Sequence, residues 1–351
     1  MRVLITGAGG LIGSQAVDYF RAQGHEIHGI DNNTRMYLFG PEGDVSPTIN
    51  RLMSHSTYTH HSIDIRDRDS VMWCFYRVKP NVVIHCAAQP SHDRASSMPL
   101  EDFDINAVGT LNLLEAARQL HDDDVVFVHM STNKVYGDGP NRLRFVEGVT
   151  RYDYDELEFV NGIKEDFPVD DCLHSIFGAS KLATDVMAQE YGRYYGMNVG
   201  IFRGGCLTGA AHAGVELHGF LAYVVKCAMI GRKYTIFGYK GKQVRDQIHA
   251  SDVVSAIDAF VRSPRKGEVY NIGGGRPNSA SILEVIDLIA DVSGRQLDYE
   301  LSPDARIGDH ICYITDMSKF HQHFPEWKPE VSLRDMIIEM VQFHEKGSRV
   351  V

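Results

Sequence analysis

The feature that most constrains the fold is a glycine-rich turn near the N-terminus. Arg2–Thr6 reads as a strand and Leu11–Gln23 as a helix, and Gly7, Gly10 and Gly13 lie at the junction between them. Glycines at this spacing permit a tight turn, let a diphosphate approach backbone N–H groups, and let the helix pack closely on the strand. The N-terminus of the helix adds partial positive charge. This strand–turn–helix unit predicts a Rossmann fold that binds a dinucleotide.

The rest of the first half alternates short apolar runs with amphipathic stretches, a pattern typical of parallel βαβ units. The predicted strands are Arg2–Thr6, Glu26–Ile30, Thr57–His61, Val82–His85, Val125–Met130 and Asn198–Arg203, and the predicted helices are Leu11–Gln23, Phe103–Leu120 and Phe177–Tyr195. Right-handed crossovers place such helices on both faces of one doubly wound parallel sheet. The predicted fold class is therefore α/β.

The residues that follow the second and third predicted strands indicate which dinucleotide binds. Asp31 ends the second strand where the adenosine ribose should lie, and a carboxylate there accepts from a 2′-hydroxyl and repels a 2′-phosphate. NAD is therefore predicted in preference to NADP, although an arginine such as Arg35 can also accept a 2′-phosphate. Asp64 and Ile65 follow the third strand and are expected to flank the adenine. The cofactor residues predicted from these segments are Gly7, Gly10, Leu11, Ile12, Gly13, Asp31, Asn32, Arg35, Asp64 and Ile65.

Two long polar segments, Asn32–Ser56 and Gly137–His174, interrupt the alternation, and loops this long within a compact domain are usually functional. After about residue 204 the pattern weakens, with a late strand at Glu268–Ile272 and helices at Ile282–Val292 and Leu333–Glu345. We predict an NAD-binding Rossmann domain over residues 1–203, with a long insert at 137–174. Residues 204–351 then form a smaller C-terminal α/β domain that binds substrate as a lid and can exchange a segment with the first domain.

Overall charge and composition exclude several classes of protein. The 351 residues carry a formal net charge of −11 with no cluster of Lys and Arg, whereas a nucleic-acid binder needs a basic surface to displace counterions. No apolar run approaches the roughly 18 residues that span a bilayer, and MRVLIT enters the glycine turn without a cleavage site. The six cysteines are scattered without a CxxC pair. We therefore expect no nucleic-acid, membrane or metal partner, and a cytoplasmic protein with reduced thiols.

Three segments of the first half and two of the second carry a family resemblance. They are His85-Cys86-Ala87-Ala88, Asn106 with Gly109-Thr110, Ser131 to Gly137 (STNKVYG), Gly241 to Asp246 (GKQVRD) and Tyr270 to Gly274 (YNIGG). With them the chain resembles the extended short-chain dehydrogenase/reductase superfamily, which comprises NAD-dependent nucleotide-sugar epimerases and dehydratases. Within it, Asp31-Asn32-Asn33 before Phe39-Gly40, and Ala87 to Asp93 (AAQPSHD), are most similar to the CDP-paratose (CDP-tyvelose) 2-epimerases.

That resemblance implies a reaction and a set of residue roles. Such enzymes are isomerases that oxidise a sugar hydroxyl with bound NAD. The keto sugar then rotates in the site, and the hydride returns to its opposite face. Thr132 would bind the reacting hydroxyl, while Lys181 would bind the nicotinamide ribose and favour an oxyanion. Arg245 and Arg306 would clamp the substrate diphosphate, and Asp309 would accept from the nucleotide ribose. The resemblance also assigns Ala87, Ala88, Gln89 and Asn106 to the cofactor, and Ser91, His92 and Asn133 to the substrate.

The chain departs from this family at the residue that normally exchanges the proton. The family places a tyrosine four residues before the lysine, on the same helical face, and here that residue is Phe177. Another group can replace the hydroxyl, the chemistry can differ while still using NAD, or the protein has lost catalysis or carries an engineered substitution. The candidate replacements are Cys206, Lys134, Tyr136, His92 and His174. Cys206 is preferred because it follows the sixth strand, where Lys181 would depress a thiol pKa, although a plain apolar wall residue explains it equally well.

The leading interpretation is thus an NAD-dependent nucleotide-sugar epimerase acting at C2 through a transient keto sugar. The family's 4,6-dehydratases carry an Asp-Glu pair after the threonine, and Asn133 and Lys134 cannot act as those carboxylates. Other NAD-dependent nucleotide-sugar chemistry, such as a different dehydratase or a 4-epimerase, and a catalytically silent NAD-binding sensor remain as alternatives.

The helices Phe103–Leu120 and Phe177–Tyr195 are apolar on more than one face. Since such a pair forms a four-helix bundle in relatives, a homodimer is expected.

Overall fold

The computed structural model describes residues 1–120, 124–209, 219–305 and 308–347. Its strands are β1 (Arg2–Thr6), β2 (Glu26–Ile30), β3 (Tyr58–His61), β4 (Val82–His85), β5 (Val126–Thr132), β6 (Phe145–Glu147), β7 (Tyr152–Tyr154), β8 (Asn198–Gly204), β9 (Cys206–Thr208), β10 (Tyr234–Phe237), β11 (Val244–His249), β12 (Glu268–Ile272), β13 (Ser279–Ser281), β14 (Tyr299–Ser302) and β15 (Cys312–Tyr313). Its α-helices are α1 (Leu11–Ala22), α2 (Thr34–Phe39), α3 (Ser46–Met53), α4 (Arg68–Val78), α5 (His92–Ser97), α6 (Pro99–Phe103), α7 (Gly109–Arg118), α8 (Ser175–Arg193), α9 (Phe220–Ile230), α10 (Ala250–Arg262), α11 (Ile282–Ser293), α12 (Ser318–His323) and α13 (Leu333–Gly347).

A seven-stranded sheet in the order β12-β8-β5-β4-β1-β2-β3 forms the centre of the first compact unit. Strand β1 pairs in parallel with β2 and β4, and Thr6 lies opposite both Ile30 and His85. The carboxyl ends of these three strands therefore align, and the loops that follow them meet at one edge, where ligands bind in open α/β sheets. The predicted doubly wound α/β fold is confirmed.

Apolar strand residues hold α4 and α7 against this sheet. Val71 and Phe75 of α4 and Leu113 of α7 are buried in one cluster with Leu4 and Val83. Full burial of a side chain of this size contributes about 1.5–3 kcal/mol relative to exposure. The packed face fixes the strand ends and the loops that leave them.

Tertiary contacts divide the chain into two compact units. The first comprises residues 1–135, 176–203 and 253–270, and the second comprises 136–175, 204–252 and 271–351. The division predicted from the sequence, 1–203 and 204–351, stays a prediction. It shares the junction after Arg203 with these units, but residues 136–175 group with the second unit and 253–270 with the first.

The second unit has its own sheet and its own apolar core. Strand β11 pairs with β9 and β15 in parallel and with β13 in antiparallel register, while β6 and β7 form a hairpin. Helices α9, α11 and α13 pack together through a buried cluster that includes Val224, Ile286 and Ile337. Across the described ranges, every helix is too short or too polar to span a bilayer.

Several elements differ from the sequence-based predictions for physical reasons. The polar segment Asn32–Ser56 contains α2 and α3, which are too short to produce a clear amphipathic period. The predicted helix Phe103–Leu120 begins earlier, at Pro99, and passes through a π-helical turn at Asp104–Val108 before α7. Strand β5 runs to Thr132, two residues beyond the predicted end at Met130, because the apolar run on which the prediction rests stops before the polar residues Ser131 and Thr132.

Candidate active site

The glycine-rich turn joins β1 to α1 and is packed too tightly for side chains. Gly7 adopts a left-handed φ of +67° and donates its N–H to Ile30 O at 2.8 Å. A Cβ at Gly7 would lie 2.9 Å from Ala87 N, and a Cβ at Gly13 would lie 2.0 Å from Gly7 O. A larger residue at either position would push the turn away from the loop after β4 or from its own helix.

The start of α1 directs backbone N–H groups outward from this turn. Gly10 precedes the helix, and Leu11 and Ile12 lie in its first turn. No side chain among the described residues caps this end, and the first four N–H groups of a helix have no partner within it. Together with the helix dipole they suit an anionic phosphate, so the residues present fit a dinucleotide.

Asp31 directly follows β2 and is held in place by the backbone. Its two carboxylate oxygens accept N–H groups from Gly9 at 2.9 Å and from Asn33 at 2.8 Å. Arg35, on α2, lies with its guanidinium 4.9 Å from the centroid of the Phe39 ring. A fixed, half-buried carboxylate at this sheet edge is the arrangement that recognition of a ribose 2′-hydroxyl needs.

The other residues predicted to flank the adenosine lie beside each other. Asn32 Nδ2 donates to Asp64 Oδ2 at 3.3 Å. Asp64 also pairs with Arg66 at 2.6 Å, and this contact lowers the pKa of the carboxyl. Ile65 is buried, and a Cβ on Gly109 would lie 2.6 Å from its side chain, so Ile65 packs closely on α7.

Ala87 and Ala88 follow β4 and lie at the same sheet edge. Ala87 N donates to Thr6 Oγ1 at 3.2 Å, and Thr6 Oγ1 lies 2.7 Å from His85 Nδ1. The Thr110 hydroxyl donates to Asn106 O at 2.6 Å and so accepts from His85 Nε2 at 2.8 Å, which leaves Nδ1 to accept the proton of the Thr6 hydroxyl. Burial lowers the pKa of His85 to about 3, which keeps the ring neutral and able to accept that proton. This buried chain of hydrogen bonds holds the loop after β4 against β1.

A buried polar network connects that loop to helix α8. Gln89 Nε2 donates to Asp102 Oδ1 at 2.7 Å, and Ser180 Oγ donates to Asp102 Oδ2 at 2.6 Å. Asn106 Nδ2 donates to Ser180 Oγ at 3.0 Å, while Asn106 Oδ1 accepts Gln89 N at 2.9 Å. Burial raises the pKa of Asp102, whereas the hydrogen bonds from Ser180 and Gln89 stabilise its carboxylate. Gln89 and Asn106 are thus buried members of this network, and their contact with the cofactor stays a prediction.

Lys181 lies deep in the same region, directly after Ser180 on α8. Its Nζ donates to Met130 O at 2.9 Å, and burial lowers the pKa of the ammonium to about 8. Met130 is two residues before Thr132, whose Oγ1 accepts Lys134 N at 3.2 Å and lies 3.4 Å from Asn133 Oδ1. Asn133 is buried, and Thr132 and Lys134 are half-buried. The structure therefore brings the predicted residues Thr132 and Lys181 to the same strand end.

Four buried residues near Lys181 could not be assigned a role from the sequence. Besides Asp102 and Ser180, they are Asp185, one helical turn beyond Lys181, and Arg203 of β8, which form a buried ion pair at 2.8 Å. For two of these residues the sequence did hold a signal, which was their spacing from Lys181. Ser180 adjoins the lysine, and Asp185 follows it by four residues on the same helical face.

Phe177 is buried one helical turn before Lys181, as its position in the sequence predicts. Its ring contacts the His92 imidazole, with centroids 4.9 Å apart and planes inclined by 58°. Phe177 O lies 3.0 Å from Ser180 Oγ, whose proton is donated to Asp102. His92 opens α5, directly after Ser91, whose hydroxyl caps that helix by accepting Arg94 N at 3.3 Å. The predicted substrate residue His92 thus adjoins the position of the missing tyrosine.

The remaining predicted substrate residues belong to the second unit. Arg245 donates through Nη2 to the Asp309 carboxylate and, at 2.6 Å, to His310 O. The structure therefore brings two of the predicted substrate residues into contact with each other. Arg306 lies outside the described residues. Cys206 begins β9, opposite Gln247 of β11.

Two further proton-exchange candidates also belong to the second unit. Tyr136 is fully buried and donates its hydroxyl to Asn271 Oδ1 at 2.7 Å. His174 lies 3.6 Å from Cys172 Sγ, and burial raises the pKa of that thiol. The described residues contain no group of three or more His, Cys, Asp or Glu side chains that could hold a metal ion.

Known proteins resemble this chain over nearly its whole length. The sequence pattern of the NAD dependent epimerase/dehydratase family matches residues 3–273. The chain is 31% identical over 347 residues to the CDP-paratose 2-epimerase of Salmonella typhi, covering 97% of this chain and 98% of that one. It is 28% identical over 357 residues to the dTDP-glucose 4,6-dehydratase of Salmonella typhimurium, covering 98% and 92%.

A solved structure supports the same relationship. The UDP-glucose 4-epimerase of Thermus thermophilus, in complex with NAD, matches this fold with a TM-score of 0.79 at 26% identity. The match covers 98% of this chain and 99% of that one. These likenesses confirm the resemblance and the NAD dependence that the sequence motifs predicted.

Proposed function

The chain belongs to the NAD-dependent epimerase/dehydratase family, and from that membership we propose that it is a nucleotide-sugar epimerase acting at C2. The observation that carries the proposal is the contact of Lys181 Nζ with Met130 O, two residues before Thr132, at the sheet edge that also carries the glycine turn. The likeness to CDP-paratose 2-epimerase, at 31% identity, supports C2 as the carbon that is inverted.

The glycine turn, the start of α1 and Asp31 would hold NAD, with its nicotinamide ribose at Lys181. Bound NAD supplies a reversible hydride acceptor, so that a sugar carbon can be oxidised and reduced again without net redox change. The tight packing at Gly7 and Gly13 leaves no room for side chains there, which would let phosphates approach the backbone N–H groups. Asp31, fixed by two backbone N–H groups, would bind the adenosine ribose.

The chemistry at the sugar falls to Thr132 and Lys181. The Thr132 hydroxyl would hydrogen-bond the reacting oxygen and orient it. Lys181 is buried, and its pKa of about 8 leaves it mainly protonated at neutral pH. A positive charge in a region of low dielectric stabilises negative charge that develops on that oxygen. Lys181 therefore lowers the barrier to oxidation without itself accepting the proton.

Recognition of the nucleotide diphosphate is proposed for Arg245 and Arg306, and that of its ribose for Asp309. Arg245 is held by the Asp309 carboxylate and by two backbone carbonyls. An arginine that is already fixed loses little side-chain entropy when it binds a phosphate. Ser91 and Asn133 are proposed to contact the sugar.

One alternative activity and one alternative role can be weighed against this proposal. A 4,6-dehydratase of this family needs carboxylates after the threonine, and the amide of Asn133 and the ammonium of Lys134 cannot act as acids of that kind. Phe177 favours a catalytically silent NAD-binding sensor, because a phenyl ring cannot exchange a proton. The two roles differ in whether bound NAD ever changes its oxidation state.

A homodimer is proposed through α8 and the helix predicted over Phe103–Leu120, which in the structure begins at Pro99 as α6. Leu100 and Phe103 of α6 are 82% and 48% exposed, and Val186 and Met187 of α8 are 46% and 39% exposed. Apolar residues exposed on neighbouring helices mark a protein–protein contact.

A cytoplasmic location is proposed because the six cysteines, all within the described ranges, are free thiols.

The proposal is tested with the protein as purified, whose NAD content is first measured. On rapid mixing with CDP-, UDP- or dTDP-sugars, an epimerase should show a transient rise in the absorbance of reduced nicotinamide as bound NAD is reduced, followed by a return to the starting value. A sensor would bind the nucleotide sugar, seen as a raised melting temperature, with no change in absorbance. Absence of any reduction across these sugars would contradict the epimerase.

A further inference from the structure

We infer that the imidazole of His92 exchanges the proton that Phe177 cannot. The inference rests on the proposed epimerase function and identifies one of its catalytic residues. It begins from the contact between these two rings, whose centroids lie 4.9 Å apart within the first unit. Phe177 occupies the position one turn before Lys181, and the group that touches its ring carries titratable nitrogens.

The position of His92 is fixed by the loop that carries it. Gln89 binds the backbone of Ser91 on both sides, since its Oε1 accepts Ser91 N at 2.6 Å and its Nε2 donates to Ser91 O at 2.8 Å. Both Gln89 and Ser91 are fully buried. Ser91 also caps α5, whose first residue is His92. The backbone directly before the imidazole is therefore rigid.

The same buried network fixes this loop relative to α8. Asp102 accepts from Gln89 through one carboxylate oxygen and from Ser180 through the other. Ser180 is adjacent to Lys181, and its hydroxyl also lies 3.0 Å from Phe177 O. His92, Phe177 and Lys181 are thus tied to one another through a single carboxylate. Asp102 is a positioning residue, because it acts on the reaction only through His92 and α8.

Other groups of the first unit are less suited to accept the proton. Lys181 is mainly protonated at neutral pH, because its pKa is about 8, so it has no vacant lone pair to offer. Thr132 carries a hydroxyl, which orients a proton or relays it but does not retain it. Phe177 is buried, whereas His92 is half-buried. Imidazole is the one side chain whose ordinary pKa places both protonation states within the neutral range.

The proposed proton exchange would conserve atoms and charge. His92 would take the proton of the sugar hydroxyl through a ring nitrogen, while bound NAD would supply the acceptor for the hydride of the same carbon, which leaves a carbonyl and an imidazolium. Once the keto sugar had rotated, its carbon would regain that hydride on the opposite face. The imidazolium would then return its proton to the oxygen, so that enzyme and cofactor would end as they began.

The test compares four proteins: wild type, His92→Gln, Phe177→Tyr, and the double variant. Loss of a general acid–base should lower kcat of His92→Gln by about 10²–10⁴-fold, with a much smaller change in KM. NAD content and melting temperature should stay at wild-type values, since glutamine keeps a polar side chain at the start of α5. In the double variant, the tyrosine hydroxyl restores the family's own proton exchange, so kcat should recover by at least about tenfold over His92→Gln.

Two further variants serve as comparisons. His321→Gln changes an exposed histidine of α12, outside the candidate site, and should keep the wild-type kcat. Cys206→Ala removes the group that the sequence alone favours, and it should lower kcat less than His92→Gln does. If instead Cys206→Ala causes the larger loss and His92→Gln keeps kcat within about threefold of wild type, the assignment of His92 is overturned.

The remaining outcomes also decide the question. A loss in His92→Gln that Phe177→Tyr does not restore would indicate a structural role for His92 and would overturn the inference. If wild type itself never reduces its NAD with any nucleotide sugar, the proposed function fails, and His92 has no proton to exchange. Turnover by wild type together with an unaffected His92→Gln variant would defeat only the assignment of His92.

Discussion

The burial of Lys181 predicts a pH dependence of stability that can be measured without knowing the substrate. Its pKa is about 8 in the folded protein, against an ordinary value of 10.5. Between these values the unfolded chain binds more protons than the folded chain, so stability rises with pH. The free-energy cost of burying the charged lysine is fully present below about pH 8 and is lost above about pH 10.5. It amounts to about 3 kcal/mol.

Replacing this lysine isolates that contribution. Lys181→Met removes the ammonium at every pH, and it also removes the donor to Met130 O, an effect that does not depend on pH. The free energy of unfolding of wild type minus that of the variant should therefore rise by about 2 kcal/mol between pH 7 and pH 9.5. The part that does not change with pH cancels in this comparison.

The assay is urea denaturation of the full chain, followed by circular dichroism at both pH values and with matched NAD content. Lys328→Met, which removes an exposed ammonium, serves as the control and should give a difference that is flat over the same range. A flat difference for Lys181→Met as well, or one that falls as pH rises, would refute the description of Lys181 as a buried cation.

Other parts of the site yield predictions of their own. Asp31→Ala should narrow an NAD-over-NADP preference of at least about tenfold, or about 1.4 kcal/mol, and equal affinities in wild type would contradict the role of Asp31. Gly13→Ala should abolish NAD retention, since its Cβ would meet Gly7 O at 2.0 Å. Asp102→Ala leaves Gln89 and Ser180 without their acceptor and should destabilise the protein by about 2–4 kcal/mol, as thermal denaturation would show. Light scattering at micromolar concentration should find a homodimer, and a monomer would rule out the proposed contact.

The fold could be predicted well from the sequence wherever local pattern and topology agree. The strand–turn–helix unit at Gly7 to Gly13 and the strands β1, β2 and β4 appear where the apolar runs place them. Buried parallel strands are continuous apolar runs, which are easy to recognise. The glycine positions were predictable because only glycine fits where Cβ atoms would clash.

The supports of the site could not be predicted in the same way. Asp102 is a charged residue in a helix, which normally indicates an exposed face, and only the tertiary structure places it between Gln89 and Ser180. The contact of His92 with Phe177 joins residues 85 positions apart and has no local signature. The pairing of Arg245 with Asp309 is equally non-local. Such contacts depend on how the loops meet, which a single sequence does not specify.

The central claim is that a sugar carbon is inverted by removal and return of its own hydride. The most direct measurement is proton NMR of nucleotide sugars incubated with the enzyme in D2O, beginning with CDP-sugars. An epimerase of this kind should invert C2, retain the original hydrogen at that carbon and accumulate no reduced NAD. Deuterium at C2 of the product, or failure to convert any nucleotide sugar, would contradict the central claim.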